Sequence, residues 1–344
     1  MDHKENYVYL DILRTIAALL VIFNHLPGYT LYMVAGGIKQ WFYLIVTMIT
    51  RINTPLFMMI SGALLLGRTE SYKTIIIKRI FRYMLVIVIA NTMIWLLYKP
   101  INFKLLFQGI IKGNIQGSYW YLYSYLGFLC SLPFLRMIAP KLKKNDFYYL
   151  FVIHFIFCAL VPCANVALSK YDFAIDTSAS FNIAIMMERS IFYPLVGFYL
   201  HSIDLRYVKR RDYTFVSLLS GIGIILECVF TLEEGKTGNY TQHYVMLFDW
   251  CIAITVFLLV RKIVSLQSNV CRASNFWRKC ASVTFGVYLF DPVLKKLMYS
   301  AVENILEPLL PTIIVSACWC IISFVLCGIF TAAIKRIRPI GKLL

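Results

Sequence analysis

The sequence predicts an all-α, polytopic membrane protein of about ten transmembrane helices with both termini in the cytoplasm, and three observations lead to this prediction. Of the 344 residues, 60% are hydrophobic and 15% are charged, whereas about 25% of the residues of a soluble domain are charged. Apolar stretches of roughly 18–25 residues recur along the chain, long enough to cross the ~30 Å hydrocarbon core of a bilayer. Lysine and arginine are abundant in every second connecting segment, which is typical of a chain that crosses a membrane repeatedly.

Ten apolar segments are expected to span the membrane. In chain order they cover residues 8–26, 41–66, 81–98, 119–138, 147–163, 183–202, 214–231, 243–261, 280–298 and 311–334. Between the third and the fourth, residues 103–111 have a mixed composition and are expected to form a short helix on the outer surface. The whole chain, 1–344, is expected to be a single membrane domain without an appended soluble domain.

The basic residues predict the orientation. With the amino terminus inside, 23 of the 34 lysines and arginines fall in inner loops or tails, eight in outer loops and three within helices. Basic residues are retained on the cytoplasmic side of a membrane, so both termini are expected inside. The same bias explains the formal charge of +17 without a nucleic-acid partner. The ten cysteines form no pair of CxxC motifs, and no metal site is expected.

The first helix carries charged and titratable side chains that a bilayer disfavours. Asp11 and Arg14 are three residues apart, so they share a helix face and can pair. His25, just before the helix-ending Pro27, lies on the same face as Arg14 but ~16 Å further along the axis. Arg14 and His25 therefore cannot touch. An ionised group at a helix centre costs at least ~2.5–3.5 kcal/mol, which makes each one a functional candidate.

Other polar residues lie within the apolar segments and are expected to form a set biased to the outer half of the bilayer. This set consists of Asn24, Arg51, Glu188, Arg189, Asp249 and Asp291, with His25 among them. With Arg14, Arg79 and Arg82 towards the inner side, it suggests a polar cavity that extends through much of the membrane. The acids could equally pair with Arg51 and Arg189 as structural links between helices.

Four features, in chain order, resemble the acyltransferase 3 family of bacterial membrane O-acyltransferases. The first helix has Leu10-Asp11 and Leu13-Arg14 followed by His25 at the family's arginine-x10-histidine spacing. The family's serine-glycine segment is resembled by FMMISGALLL (57–66), and its RxxR element by RIFR (79–82). The family's tryptophan-tyrosine-leucine helix is resembled by YWYLYSYLGFLCSLPFLR (119–136). One position departs from the pattern. Many members have a histidine where this chain has Asp291, so the role of that histidine does not transfer, and Asp291 could instead orient or charge-stabilise a base.

The resemblance implies a donor, an acceptor and a location. The donor is expected to be cytosolic acyl-CoA, by default acetyl-CoA with succinyl as an alternative, and the acceptor a hydroxyl of a cell-surface or lipid-linked glycan. The protein is expected in the plasma membrane of a bacterium. Arg79 and Arg82 are expected to bind the phosphates of CoA, although positive-inside charge alone would also explain them.

The resemblance also makes His25, Arg14 and Asp11 the catalytic candidates. His25 could act as a general base on the acceptor hydroxyl, or as a nucleophile that carries the acyl group briefly. We favour the general base because it requires no extra intermediate. Arg14 is better described as a positioning residue in the channel, with Asp11 as its partner. The polar set around His25 supplies the candidates for acceptor binding.

Two further function classes stay open at this point. An exporter of a polysaccharide or a lipid-linked sugar would show a repeated, pseudo-symmetric pair of broken helices, and the sequence has no internal repeat. A sensor or assembly partner without catalysis would not require the pattern of Arg14 and His25.

Overall fold

The computed structural model describes residues 7–98, 102–113, 115–168, 189–236, 247–266, 273–337, 341 and 343. Over these residues the chain is 87% helical and has no β-strand, which confirms the predicted all-α class. The α-helices, in chain order, are α1 (Val8–Asn24), α2 (Pro27–Thr30), α3 (Gly37–Thr50), α4 (Asn53–Leu65), α5 (Tyr72–Thr74), α6 (Arg82–Tyr98), α7 (Phe103–Lys112), α8 (Trp120–Ile138), α9 (Lys144–Phe155), α10 (Val161–Leu168), α11 (Arg189–Ser202), α12 (Arg210–Gly235), α13 (Asp249–Leu266), α14 (Ser274–Leu306) and α15 (Thr312–Ile334).

Short helical turns of other types join several of these helices. Wider π-helical turns, Ile75–Phe81 and Ile156–Leu160, connect α5 to α6 and α9 to α10. Tighter 3-10 turns lie at Leu31–Met33, Gly117–Tyr119, Ala139–Lys141 and Leu205–Tyr207. The helix expected at 103–111 is α7, which begins after an Asn102 side chain that accepts from Leu105 N and ends at the left-handed Gly113.

Six helical stretches of the described chain are long and apolar enough to cross a membrane, fewer than the ten predicted. They are Gly37–Leu65, Tyr72–Leu97, Gly117–Lys141, Lys144–Asn165, Arg210–Gly235 and Thr312–Ile334. A seventh is obtained if Val8–Asn24 and Pro27–Met33, which meet at a bend of 76°, form one span. The predicted orientation of the termini stays a prediction.

The remaining predicted spans are not among these stretches, although the described part of each contains a helix. Of the span at 183–202 the structure describes 189–202, which is α11 and has 14 residues. Helix α13 replaces the span at 243–261; it has 18 residues and begins at the charged Asp249. Helix α14 replaces 280–298 and has ample length, 33 residues, but it carries Asp291, Lys295 and Lys296 along its course.

The contacts between helices divide the chain into two compact units. Unit 1 comprises Met1–Leu31, Glu70–Cys130 and Ile263–Leu344, and unit 2 comprises Tyr32–Thr69 and Ser131–Lys262. In unit 1, helix α1 packs against α14 and α15, and α14 packs against α15 along its length. Gly286 of α14 permits this approach, since a Cβ there would lie 2.2 Å from Thr331 Oγ1. The Gly28 N–H of α2 donates to Ser316 Oγ of α15 at 3.0 Å.

Unit 2 is centred on the contact between α4 and α11, where two glycines bring the backbones together. A Cβ on Gly62 would lie 1.9 Å from the Pro194 carbonyl oxygen, and a Cβ on Gly197 would lie 2.0 Å from that of Met59. Small residues at such crossings are how helices associate closely within a membrane. The serine-glycine segment at 57–66 therefore has a packing role in this fold.

Candidate active site

His25 lies at a break between two helices. Helix α1 ends at Asn24, and His25 follows as its C-cap, with its N–H donating to Ile22 O at 3.1 Å. Pro27 then starts α2, where a proline is favoured because the missing N–H has no partner in the first turn. The 76° bend leaves the imidazole at the end of α1, with 25% of its side chain exposed.

Asp291 of α14 faces the imidazole. Its Oδ2 lies 3.5 Å from His25 Nδ1, and its side chain is only 2% exposed. The other carboxylate oxygen, Oδ1, accepts a hydrogen bond of 2.6 Å from Ser323 Oγ of α15. A carboxylate beside Nδ1 favours the tautomer with its proton on Nδ1, which leaves Nε2 to accept a proton from a ligand. This contact fits the alternative role considered for Asp291, that of orienting a base.

A second residue of α14 also holds His25. The Lys295 ammonium donates to the main-chain carbonyl oxygen of His25, one of the carbonyls left without a partner at the end of α1. Asp291 and Lys295 are four residues apart, so they lie on one face of the helix. Through them α14 holds both the side chain and the backbone of His25.

A side chain supports the backbone of α14 close to Asp291, where a proline interrupts the hydrogen bonds of the helix. Pro292 lies inside the helix, has no N–H to donate, and its ring crowds the preceding turn. The Tyr119 hydroxyl donates to the nearby Leu289 carbonyl oxygen at 2.6 Å, a fully buried contact. Tyr119 thus supplies a donor at the turn that carries Asp291.

His25 and Asp291 open into a cavity of about 510 Å³, a size typical of small-molecule sites. Its lining residues are His25, Gln116, Gly117, Ser118, Asp291, Pro292, Lys295, Lys296, Tyr299 and Ser300. The wall formed by 116–118 is anchored at Ser118, whose carbonyl oxygen accepts from the Tyr288 hydroxyl at 2.6 Å and whose Oγ accepts from Gln116 Nε2 at 2.8 Å.

A row of tyrosines leads from this wall to Arg14. The ring of Tyr288 lies 5.9 Å from that of Tyr121, which lies 5.9 Å from that of Tyr125, which lies 4.9 Å from that of Tyr83. Tyr121 and Tyr125 are both within electrostatic range of Arg14. The row therefore extends from the wall of the His25 cavity towards Arg14, and its aromatic side chains end in polar hydroxyl groups.

Arg79 and Arg82 belong to a basic cluster at the Arg14 end of unit 1. Arg79 lies in the π-helical turn and is held by Glu70 in a two-pronged ion pair, with Nε–Oε2 at 2.8 Å and Nη2–Oε1 at 2.6 Å. Arg82 is exposed and feels the like charge of Arg79. Among the described residues, no carboxylate lies within ion-pair distance of Arg82.

Lys335 and Arg278 extend this cluster. Lys335, just after α15, is within electrostatic range of Arg82 and Arg14, and its ammonium donates to Ser282 O. Burial lowers the pKa of Lys335, and the positive charges of Arg82 and Arg14 lower it further. Arg278 of α14 is within electrostatic range of Asp11.

Asp11 interacts with Arg14 more loosely than expected. The two charges attract, but within the described part of the chain no ion pair of 4.0 Å or less joins them. The main-chain oxygen of Asp11 accepts from Thr15 Oγ1 at 2.9 Å.

Two other expected residues, Arg51 and Asp249, belong to unit 2. Asp249 is 2% exposed, and its Oδ1 accepts from the Tyr193 hydroxyl at 2.8 Å. Glu227 of α12 is fully buried, accepts from Phe248 N at 2.7 Å, and is within electrostatic range of both Arg51 and Asp249. Asp249 is thus bonded to a tyrosine of α11, and both its expected role in acceptor binding and its pairing with an arginine stay predictions. Glu188 and the side chain of Arg189 lie outside the described residues, and Asn24 is the last residue of α1.

Sequence reasoning missed Lys295, Ser323 and Glu227. Lys295 was detectable, since its spacing from Asp291 places an acid and a base on one helix face. Glu227 was also detectable as a carboxylate within an apolar segment. Ser323 gave no signal, because a serine in an apolar helix usually bonds its own backbone.

Comparison with known proteins gives a family assignment. No curated protein and no solved structure matched the chain significantly. A family model described as an acyltransferase domain, of the acyltransferase 3 type, matches residues 7–332. The match covers α1 to α15 almost completely and includes His25, Arg14, Arg79, Arg82 and Asp291, whereas Lys335 lies just beyond it. The chain therefore belongs to the acyltransferase 3 family and is a multi-pass membrane acyltransferase.

Proposed function

We propose that this protein transfers an acyl group, by default acetyl, from acyl-CoA to a hydroxyl of a cell-surface or lipid-linked glycan in the plasma membrane of a bacterium. The observation that carries the proposal is the contact of His25 Nδ1 with Asp291 at 3.5 Å, at the edge of an open cavity. Catalytic hydrogen bonds are often long before the substrate binds, so a distance of this size is compatible with a working pair.

In the proposed reaction His25 is the general base. Its Nε2 takes the proton of the acceptor hydroxyl as the oxygen attacks the thioester carbonyl carbon. The carbon–sulfur bond then breaks, and the imidazolium returns the proton to the sulfur of departing CoA. Asp291 stabilises the imidazolium and holds its orientation, with Ser323 fixing the carboxylate in turn. An acyl-histidine relay would use the same Nε2 and remains the alternative step.

The basic cluster is the proposed site for the phosphates of CoA. Guanidinium groups bind phosphate oxygens in pairs, and Arg82 and Lys335 supply positive charge that no described carboxylate within 4.0 Å neutralises. Arg79 would have to give up its ion pair with Glu70 to bind a phosphate, so we propose that it contributes less to phosphate binding than Arg82 and Lys335 do. The pantetheine arm would run from this cluster past Arg14 and the tyrosine row towards His25.

The test uses full-length protein purified in detergent or nanodiscs. Acetyl-CoA should raise the unfolding temperature, because a ligand that binds only the folded state stabilises it, and acetylation of the surface glycan should be restored in cells that lack the enzyme. His25→Ala should retain the stabilisation and lose transfer by about 10²–10⁴-fold. His201→Ala, a histidine near the end of α11 that does not line the cavity, is the matched control.

The outcomes separate the function classes. Full transfer by His25→Ala would end the assignment of His25 as the base. An exporter predicts no stabilisation by acetyl-CoA and an unchanged acetyl content of the glycan. Transfer of label from acetyl-CoA to His25 itself in the absence of acceptor would favour the acyl-histidine relay.

A further inference from the structure

The cavity at His25 has more positive than negative charge. Its charged lining residues are Asp291, Lys295 and Lys296. The Asp291 carboxylate is 2% exposed and faces inwards to His25 and Ser323, so it contributes little to the opening. Glu303, on the next turns of α14, lies within electrostatic range of Lys295 but does not line the cavity.

Membrane topology does not account for the two lysines. In the predicted orientation the outer side holds only eight of the 34 basic residues, because positive charge is retained inside. Lys295 and Lys296 are two of those eight, they are adjacent, and both line the same cavity. Positive charge at that place therefore requires another reason.

The two lysines have different surroundings. The Lys295 ammonium is held by the His25 carbonyl oxygen and lies 5.8 Å from the centre of the Tyr299 ring. Its charge is thus fixed in the wall of the cavity. Lys296 is exposed and lines the same opening, where its long side chain can reach a ligand.

The remaining lining residues suit the uncharged part of a sugar. Gln116, Ser118 and Ser300 offer amide and hydroxyl groups, and the largely buried Tyr299 adds part of its aromatic side chain to the wall. A few polar groups around a pocket of this size are the usual means of orienting a small ligand.

We infer that the acceptor is an anionic glycan, in which the sugar that presents its hydroxyl to His25, or the sugar next to it, carries a carboxylate or a phosphate ester. The negative group lies against Lys296, in the field of Lys295, while the hydroxyl faces the imidazole. This inference rests on the proposed function and adds the substrate class to it.

Binding in the absence of acyl donor tests this inference separately from catalysis. The probes are a tetrasaccharide that contains uronic acid, its carboxyl-reduced neutral counterpart, and the neutral counterpart carrying one phosphate ester. Equilibrium binding is measured on the full-length protein in nanodiscs of zwitterionic lipid at low salt. We expect the uronate probe to bind at least about five-fold more tightly than the neutral probe, which corresponds to ~1 kcal/mol. If only the phosphate probe binds about five-fold more tightly than the neutral probe, the phosphate is the recognised group.

Variants link the preference to this cavity. Lys296→Met should bring the ratio of the Kd of the neutral probe to the Kd of the uronate probe close to one. Lys296→Glu should make the neutral probe the tighter ligand. Lys104→Met, which removes an exposed lysine of α7 that does not line the cavity, should leave the ratio unchanged. High salt should weaken the preference because it screens exposed charges.

Some results would overturn the inference. Equal binding of all probes, binding of none of them, or a preference that Lys296→Met and Lys296→Glu leave intact would each do so. Stabilisation by acetyl-CoA on the same preparation keeps the two proposals apart. An anion preference without that stabilisation refutes the acyltransferase proposal alone, and the stabilisation without a preference refutes the anionic acceptor alone.

Discussion

Replacing Gly62 by alanine tests the backbone contact between α4 and α11. The added Cβ would lie 1.9 Å from the Pro194 carbonyl oxygen, whereas ordinary contact begins at 3.4 Å. Helices α4 and α11 must therefore move apart by about 1.5 Å. The atoms that the added Cβ would meet are the carbonyl group and Cα of Pro194. These are backbone atoms and cannot rotate away as a flexible side chain could.

The size of the effect follows from this displacement. Overpacking of a well-packed interior costs ~1–3 kcal/mol, and a gap of ~0.5–1 Å already loses a quarter to a half of the dispersion energy of each contact. The reciprocal contact of Gly197 with Met59 would be pulled apart in the same movement. We expect Gly62→Ala to destabilise the protein by ~3 kcal/mol, which lowers Tm by roughly 4 °C for a chain of 344 residues.

Thermal unfolding in detergent, followed by tryptophan fluorescence, measures the shift. Gly221→Ala is the control, because a Cβ at that position of α12 meets nothing within 4 Å. Alanine is favoured over glycine within a helix by ~0.5–1 kcal/mol, so the control should unfold at the same or a higher temperature. Equal melting of Gly62→Ala and Gly221→Ala would refute the backbone contact of α4 with α11.

Three further predictions concern the site. Asp291→Asn should lower kcat by at least about 10²-fold, since the imidazolium loses its charge partner. Ser323→Ala should lower kcat less and leave the KM for the donor unchanged. Equal losses of kcat in the two variants would contradict the assignment of Asp291 as the direct partner of His25 and of Ser323 as its support. Arg82→Ala should raise the KM for acyl-CoA about five-fold or more without changing the acceptor KM, as measured by steady-state kinetics. Glu70→Gln should lower the donor KM by releasing Arg79 to the phosphates, and a raised KM would show that Glu70 positions Arg79 for binding.

Local features of the sequence predicted the helices better than the number of spans. Helix α7 was predictable, because Asn102 and Gly113 are strong start and stop signals. The span at 280–298 was not recovered, because the charged Asp291, Lys295 and Lys296 lie along α14 within that apolar run. The break at His25 was foreseeable from Pro27, but the 76° turn and the continuation as α2 were not.

Contacts between distant parts of the chain limited how much of the site could be predicted from the sequence. The spacing of Arg14 and His25 was sufficient to exclude a direct pair, and the departure at Asp291 already suggested an orienting acid. No single-sequence pattern, however, could bring Ser323 to Asp291 or Lys295 to the backbone of His25. Such contacts depend on how α14 and α15 pack against α1, and apolar faces of membrane helices have the same composition towards lipid and towards protein.

The cavity joins the beginning of the chain to its end, which has a consequence for biosynthesis. His25 and Lys295 are separated by 270 residues, and translation at ~5–20 residues per second takes roughly 14–54 s to add that length. Throughout this interval the nascent first helix holds Arg14 and His25 in or near the bilayer without the α14 residues that surround His25 in the finished protein. An incomplete chain released by the ribosome during that interval would insert into the membrane yet lack the cavity, so premature termination yields no partial activity.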